Sequence, residues 1–202
     1  MKIRTILTGA AVVLGLTMVS CESATRLAKD VDGTWTGGVE RIPGEALNSD
    51  VFSTYTFKYD AGNDKSAGGD IVINATLSAN YSDNVVIGDV PSSVVMTVAG
   101  TSSVSGTWTA VDDDEIVITL NPSTLVVNLD PDAQTLTTTV PGMTSEGIDT
   151  LKPHLLSMIK DRMAYDLRIK YSSPIRMDDV KVKDGKTLAY EVDDVDYTLT
   201  AE

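Results

Sequence analysis

"IVINATLSAN" (Ile71–Asn80) decides the fold. Ile71, Ile73, Ala75, Leu77 and Ala79 are apolar and alternate with Val72, Asn74, Thr76 and Ser78. A period of two puts the first set on one face of an extended chain and the second on the other, the pattern of a strand with one buried and one wetted side. The same alternation recurs on both sides of this stretch. Upstream, Tyr55, Phe57 and Tyr59 alternate with Thr54, Thr56 and Lys58. Downstream come Val94, Met96 and Val98, then Ile116, Ile118 and Leu120, then Leu125, Val127 and Leu129. Near the end, Leu188, Tyr190 and Val192 precede Val195, Tyr197 and Leu199. Turn formers separate these runs: "VDDDE" (Val111–Glu115), "NPS" (Asn121–Ser123) and "KDGK" (Lys183–Lys186), whose Asp-Gly suits a hairpin turn of positive φ. Nine or ten short strands connected in sequence order leave exposed edges unless the sheet closes on itself. The expected fold is therefore all-β, an antiparallel up-and-down meander closed into a barrel.

One segment carries a different period. In "TLKPHLLSMIKDRM" (Thr150–Met163) the apolar residues Leu151, Leu155, Met158, Ile159 and Met163 are spaced by three and four, which gives one helical face. Pro153 suits a first turn, so the helix is expected to begin between Thr150 and Pro153. The reading is a helical insertion over 145–164, lying across one mouth of the barrel. Tyr165, Leu167, Ile169 and Tyr171 alternate again and predict a strand, giving about four strands after the helix.

The N-terminus, "MKIRTILTGAAVVLGLTMVSC" (Met1–Cys21), has a basic start at Lys2 and Arg4 and an apolar stretch from Ile6 to Val19. That layout is a secretory signal, too short in its apolar part to span a bilayer. The chain's one cysteine, Cys21, follows directly and has no partner for an internal disulfide. The junction resembles the lipobox of bacterial lipoproteins, with Met18 where leucine is usual. The resemblance implies cleavage before Cys21, a diacylglycerol on its thiol and a place in the cell envelope as an outer-membrane lipoprotein, facing the periplasm or the surface. The expected organisation is a signal peptide over 1–20, a lipidated tether over 21–30 and a single domain over 31–202.

Composition narrows function. Residues 1–20 hold two basic residues and no acidic ones, which leaves 14 Lys and Arg against 29 Asp and Glu, a net charge of −15. Such a surface repels nucleic acid, and that class of partner is excluded. With 42% hydrophobic residues in regular alternation, the chain is expected to fold around a core. His154 is the only histidine and stands beside Pro153 with no nucleophile in a recognisable setting, so neither a serine triad nor a histidine metal site is expected. The acidic groups at Asp112–Glu115, Asp130 and Asp132, Asp178 and Asp179, and Asp193–Asp196 fall between strands without calcium-loop spacing and read as solvated turns. No glycine-rich phosphate loop or dinucleotide fingerprint is present. The expectation is a protein with no catalytic residues, metal or cofactor.

The chain's two tryptophans both sit in Gly-Thr-Trp-Thr, at Gly33–Thr36 and Gly106–Thr109. The flanks do not align, "TGGVERIPGE" (Thr36–Glu45) against "TAVDDDEIVI" (Thr109–Ile118), which weighs against a duplicated module. The first copy, opening a long meander just after the tether, resembles the lipocalins and the wider calycin group, and in detail the small lipocalin-like lipoproteins of Bacteroidetes. Those proteins share the internal hairpin matching Gly106–Leu120, and the likeness extends over Val31–Leu129. It implies that Gly33 and Trp35 are a structural motif, with Trp35 closing the barrel floor. Two features depart from lipocalins: no arginine follows Arg176, and several strands follow the helix. The resemblance implies a membrane-anchored, non-enzymatic binding protein. A small hydrophobic ligand would lie in the barrel, lined by Tyr55, Phe57, Ile73, Met96, Trp108 and Ile118. The alternative is a barrel filled by side chains that meets an envelope protein or a glycan through its outer surface.

Overall fold

A computed structural model describes residues 22–43, 47–62, 67–87 and 89–202. The signal peptide over 1–20 and Cys21 lie outside the described residues. The expected all-β barrel is what forms. Nine strands make one antiparallel sheet: β1 (Gly33–Ile42), β2 (Leu47–Tyr59), β3 (Gly68–Ile87), β4 (Val90–Ala110), β5 (Ile116–Leu120), β6 (Val126–Thr138), β7 (Ile175–Lys183), β8 (Thr187–Val192) and β9 (Val195–Ala201). Eight of them close in the order β1-β2-β3-β4-β5-β7-β8-β9, with β9 returning to β1. This closed eight-stranded antiparallel barrel is consistent with a lipocalin-like fold.

The ninth strand corrects the simple meander. β4 pairs with β5 through Gly106–Ala110 and with β6 through Val94–Ser103. β5 and β6 thus run the same way along one neighbour, as a single strand interrupted by a jog. The jog is a 3-10 turn, Pro122–Thr124, capped by Asn121, whose side chain accepts from Ser123 N. "NPS" was expected to separate strands and does so, but a single 3-10 turn advances the chain without reversing it. The "DPD" cluster likewise forms a bulge inside β6, where the register against β4 slips between Val98 and Gly100.

The expected tether is corrected too. Residues 22–31 form a helix, α1, and Ala24, Leu27, Ala28 and Val31 are buried in the common core. Their spacing of three, one and three is a helical stripe, too short to stand out among polar neighbours in the sequence. α1 closes the end of the barrel where β1 begins. The long helix, α2 (Ser145–Lys170), differs from its expected 145–164 at its C-terminal end. Thr144 caps it by accepting from Gly147 N at 3.2 Å, so it starts two turns before Pro153, which lies inside the helix. It also runs through Tyr165 and Ile169, where a strand was expected. Ile159, Met163 and Leu167 are buried at intervals of four while Tyr165 and Ile169 are exposed, so the helical stripe continues and the local alternation is coincidental. Three strands follow α2 rather than about four.

α2 packs on β6 at one side of the barrel, and Lys170, at its last turn, pairs with Glu40 of β1 at the other. Those strands stand on opposite walls, so the helix crosses the second mouth, as expected. α1 thus stands at one end of the barrel and α2 at the other. Among the described residues no helix is long and apolar enough to cross a membrane.

Candidate functional site

The two Gly-Thr-Trp copies need their glycines for different reasons. Gly33 turns the chain from α1 into β1 with φ +144°, outside the range that L side chains favour. Gly106 has no such φ; a Cβ there would collide with the carbonyl oxygen of Thr119 on β5. The indoles also differ. Trp35 donates from Nε1 to the carbonyl oxygen of Val31 at 2.8 Å, tying the last residue of α1 to the barrel wall. Trp108 is buried against Phe57, edge to face at 5.2 Å, and its Nε1 has no hydrogen-bond partner. Trp35 thus stands at the end of the barrel beside α1.

Of the six residues expected to line a ligand space, Phe57, Ile73, Met96, Trp108 and Ile118 are each at most 2% exposed. They lie within the packed core, and the register inferred from the alternation points all five inward. Tyr55 differs. It is half-buried and borders an open cleft in the barrel wall, and of the six it alone borders a described cavity.

That cleft lies at the closing seam. β1 and β9 share only two residue pairs, Trp35 with Ala201 and Thr36 with Thr200. Beyond Thr36 the register of β1 against β2 slips across Gly37 and Gly38, and pairing with β9 does not resume. A Cβ on Gly37 would come within 2.9 Å of Leu199 Cδ2, so glycine lets the two strands pass closely before they part. The gap opens a cleft of about 320 Å³ bordered by Glu40, Ser53, Tyr55, Tyr190, Tyr197 and Leu199. That volume is at the small end for a binding pocket. Tyr190 and Tyr197 stack at 5.4 Å and 13°, presenting an aromatic wall. Lys170 and Glu40 hold the end of α2 beside the same opening.

The phenols are held neutral. Burial pushes Tyr55 up to about 12, with the Glu40 carboxylate adding to the rise, against an offset from the hydroxyls of Tyr190 and Ser53. Tyr190 and Tyr171 are raised as well, again first by burial and then by the charge that Tyr55 and Glu40 would place beside them. Neutral phenols donate and accept hydrogen bonds, but they do not act as bases or nucleophiles near neutral pH. The cleft offers a stacked aromatic surface, three phenols, the Glu40 carboxylate and, beside it, Arg41.

The remaining acidic residues stay dispersed. Asp112–Asp114 form the exposed β4–β5 turn, Asp179 sits at a bulge with φ 51°, and Asp193 and Asp194 form the β8–β9 turn with φ 51° and 62°. Among the described residues no group of three or more His, Cys, Asp or Glu is placed to hold a metal. His154 is exposed on α2. The seam itself was missed in the sequence reading; the Gly37–Gly38 pair inside a strand was the available signal, since paired glycines there mark a bulge. No protein-family model and no curated protein matches the chain.

Proposed function

We propose that this protein is a non-enzymatic binding barrel of the bacterial envelope, anchored through a lipid on Cys21, which takes a small uncharged amphipathic ligand at the β1–β9 seam. The observation that carries the reading is the tyrosine-lined cleft where β1 and β9 part after two residue pairs. An aromatic stack accepts an apolar or planar group, and neutral phenols around it pair with one or two polar atoms. The site proposed lies in the wall rather than in the interior, where Phe57, Ile73, Met96, Trp108 and Ile118 pack in the core. The anchor fits the same arrangement. α1 begins one residue after Cys21 and docks on the barrel, so a lipid there would hold the floor of the barrel close to the bilayer with little slack.

The test is titration of the full-length protein with N-phenyl-1-naphthylamine, a neutral amphipathic fluorophore. Saturable fluorescence enhancement is expected, weakened about tenfold in Tyr197→Ala, which removes one face of the stack. Enhancement that is unsaturable, or unchanged in Tyr197→Ala, overturns the site. The anchor is tested separately by incorporation of labelled palmitate, which Cys21→Ala should abolish.

A further inference from the structure

We infer that the outer face of β2, β3, β4 and β6 is a second binding site, for a neutral oligosaccharide. Phe52, Thr76, Thr101 and Asn128 stand opposite one another in register across these four strands. A second row, two residues along, runs from Thr54 through Asn74 to Val126. With strands about 4.8 Å apart and two residues spanning about 7 Å, the rows cover roughly 14 by 7 Å, the footprint of a short chain of sugars rather than one ring. The surface is concave, enclosing about 390 Å³.

Three observations fix the class of ligand. The first is charge: in a protein with 29 acidic residues, no acidic or basic side chain lines this trough among the described residues. Beyond one end stand Asp50, 3.9 Å from Arg41, and Asp130 of β6; beyond the other stands Lys58, in register with Asp70. Within the trough itself a charged polymer would find nothing to neutralise it. The second is unused hydrogen-bonding capacity. Unlike Thr34 with Thr56 and Thr97 with Thr135 on the same barrel, the trough's hydroxyls and the amides of Asn74 and Asn128 make no side-chain hydrogen bond among the described residues. An apolar ligand would bury those groups without partners and lose their hydration. The third is position. β2, β3 and β4 are paired on both sides, and α2 packs against β6, the strand with a single neighbour, so an extended peptide gains few of the main-chain bonds it would find at an open edge. Sugars combine what remains: hydroxyls that both donate and accept, and C–H faces that lie on an aromatic ring, here Phe52, 40% exposed at the rim.

The trough is on the outer wall and shares no lining residue with the seam cleft, so the two sites succeed or fail independently. The experiment is calorimetric titration of the full-length protein with maltohexaose, cellohexaose, laminarihexaose and chitohexaose. Binding of at least one is expected, reduced about tenfold by Phe52→Ala and by Asn74→Ala, with fluorophore binding at the seam unchanged. Phe52 and Asn74 are outside the core, so both variants are expected to fold, and circular dichroism checks it. Absence of binding by all four sugars at millimolar concentration overturns the inference. So does binding that neither variant weakens. A concentration-dependent dimer broken by Thr101→Glu would make this face a self-association surface and would overturn it equally.

Discussion

At the scale of single residues, two identical tetrapeptides do different work, and their partners decide which. Trp35 anchors a helix by one hydrogen bond; Trp108 fills volume and carries a buried N–H that nothing accepts. Trp→Phe removes similar bulk at both sites. At Trp35 it also orphans the Val31 carbonyl, whereas at Trp108 it removes an unsatisfied donor. Trp35→Phe is therefore expected to be less stable than Trp108→Phe by about 1–3 kcal/mol, read from urea unfolding midpoints. Equal losses would mean that the Trp35 bond contributes nothing. The sequence pointed to Trp35 at the barrel floor and Trp108 on an inward face; their hydrogen-bonding was invisible because it depends on α1 and on Phe57, which are remote or unassigned in the linear pattern.

At the scale of elements, α1 is a plug rather than a tether. Leu27→Ala should cost about 2–5 kcal/mol in the same unfolding experiment, the range for a truncated core leucine. A change within a few tenths of a kcal/mol would return the segment to a tether. The β8–β9 hairpin offers the opposite sign. Its two-residue turn, Asp193 and Asp194, joins the pair Val192 and Val195 with both central residues at positive φ. Such turns prefer Asn-Gly, and an aspartate there costs about 1 kcal/mol in backbone strain. Partial burial raises the Glu191 carboxyl, and the charges of Asp194 and Asp196 raise it further. Asp193→Asn with Asp194→Gly should thus raise stability by about 1 kcal/mol and lower the Glu191 carboxyl toward its ordinary range, the latter read by NMR titration. A drop in stability would show that the acidic pair is favoured by contacts of its own.

At the scale of the whole molecule, the seam ties stability to alkaline pH. A phenol in the unfolded chain ionises near 10, whereas Tyr55 does so at about 12 and Tyr171 and Tyr190 are raised as well. The folded state binds these protons more tightly, so the stability they contribute is fully present below about pH 10 and is lost as pH rises from about 10 through 12. The melting temperature should fall across that window, and phenolate absorbance of the buried tyrosines should appear together with unfolding. Tyrosines that all ionise near pH 10 in a still-folded protein would show that the cluster is open to water.

What the sequence alone determined follows from short-range periodicity. Alternation along Ile71–Asn80 and its neighbours settled the strands, their inward faces and the need for closure, because a period of two with buried β-branched and aromatic residues has one stable use. The spacing of Leu155, Ile159 and Met163 likewise settled the core of α2. Other features were decided only by the tertiary structure. Four buried residues made a helix of 22–31, and a continuing stripe to Leu167 overrode the alternation at Tyr165–Tyr171. Pairing with β4 turned two apparent strands into one interrupted strand. Both candidate sites belong to this second group. The seam exists because β9 meets β1 for two pairs and no more, and the trough exists because four strands bring uncharged side chains into register. Contacts between residues as far apart as Gly37 and Leu199 leave no mark on local periodicity.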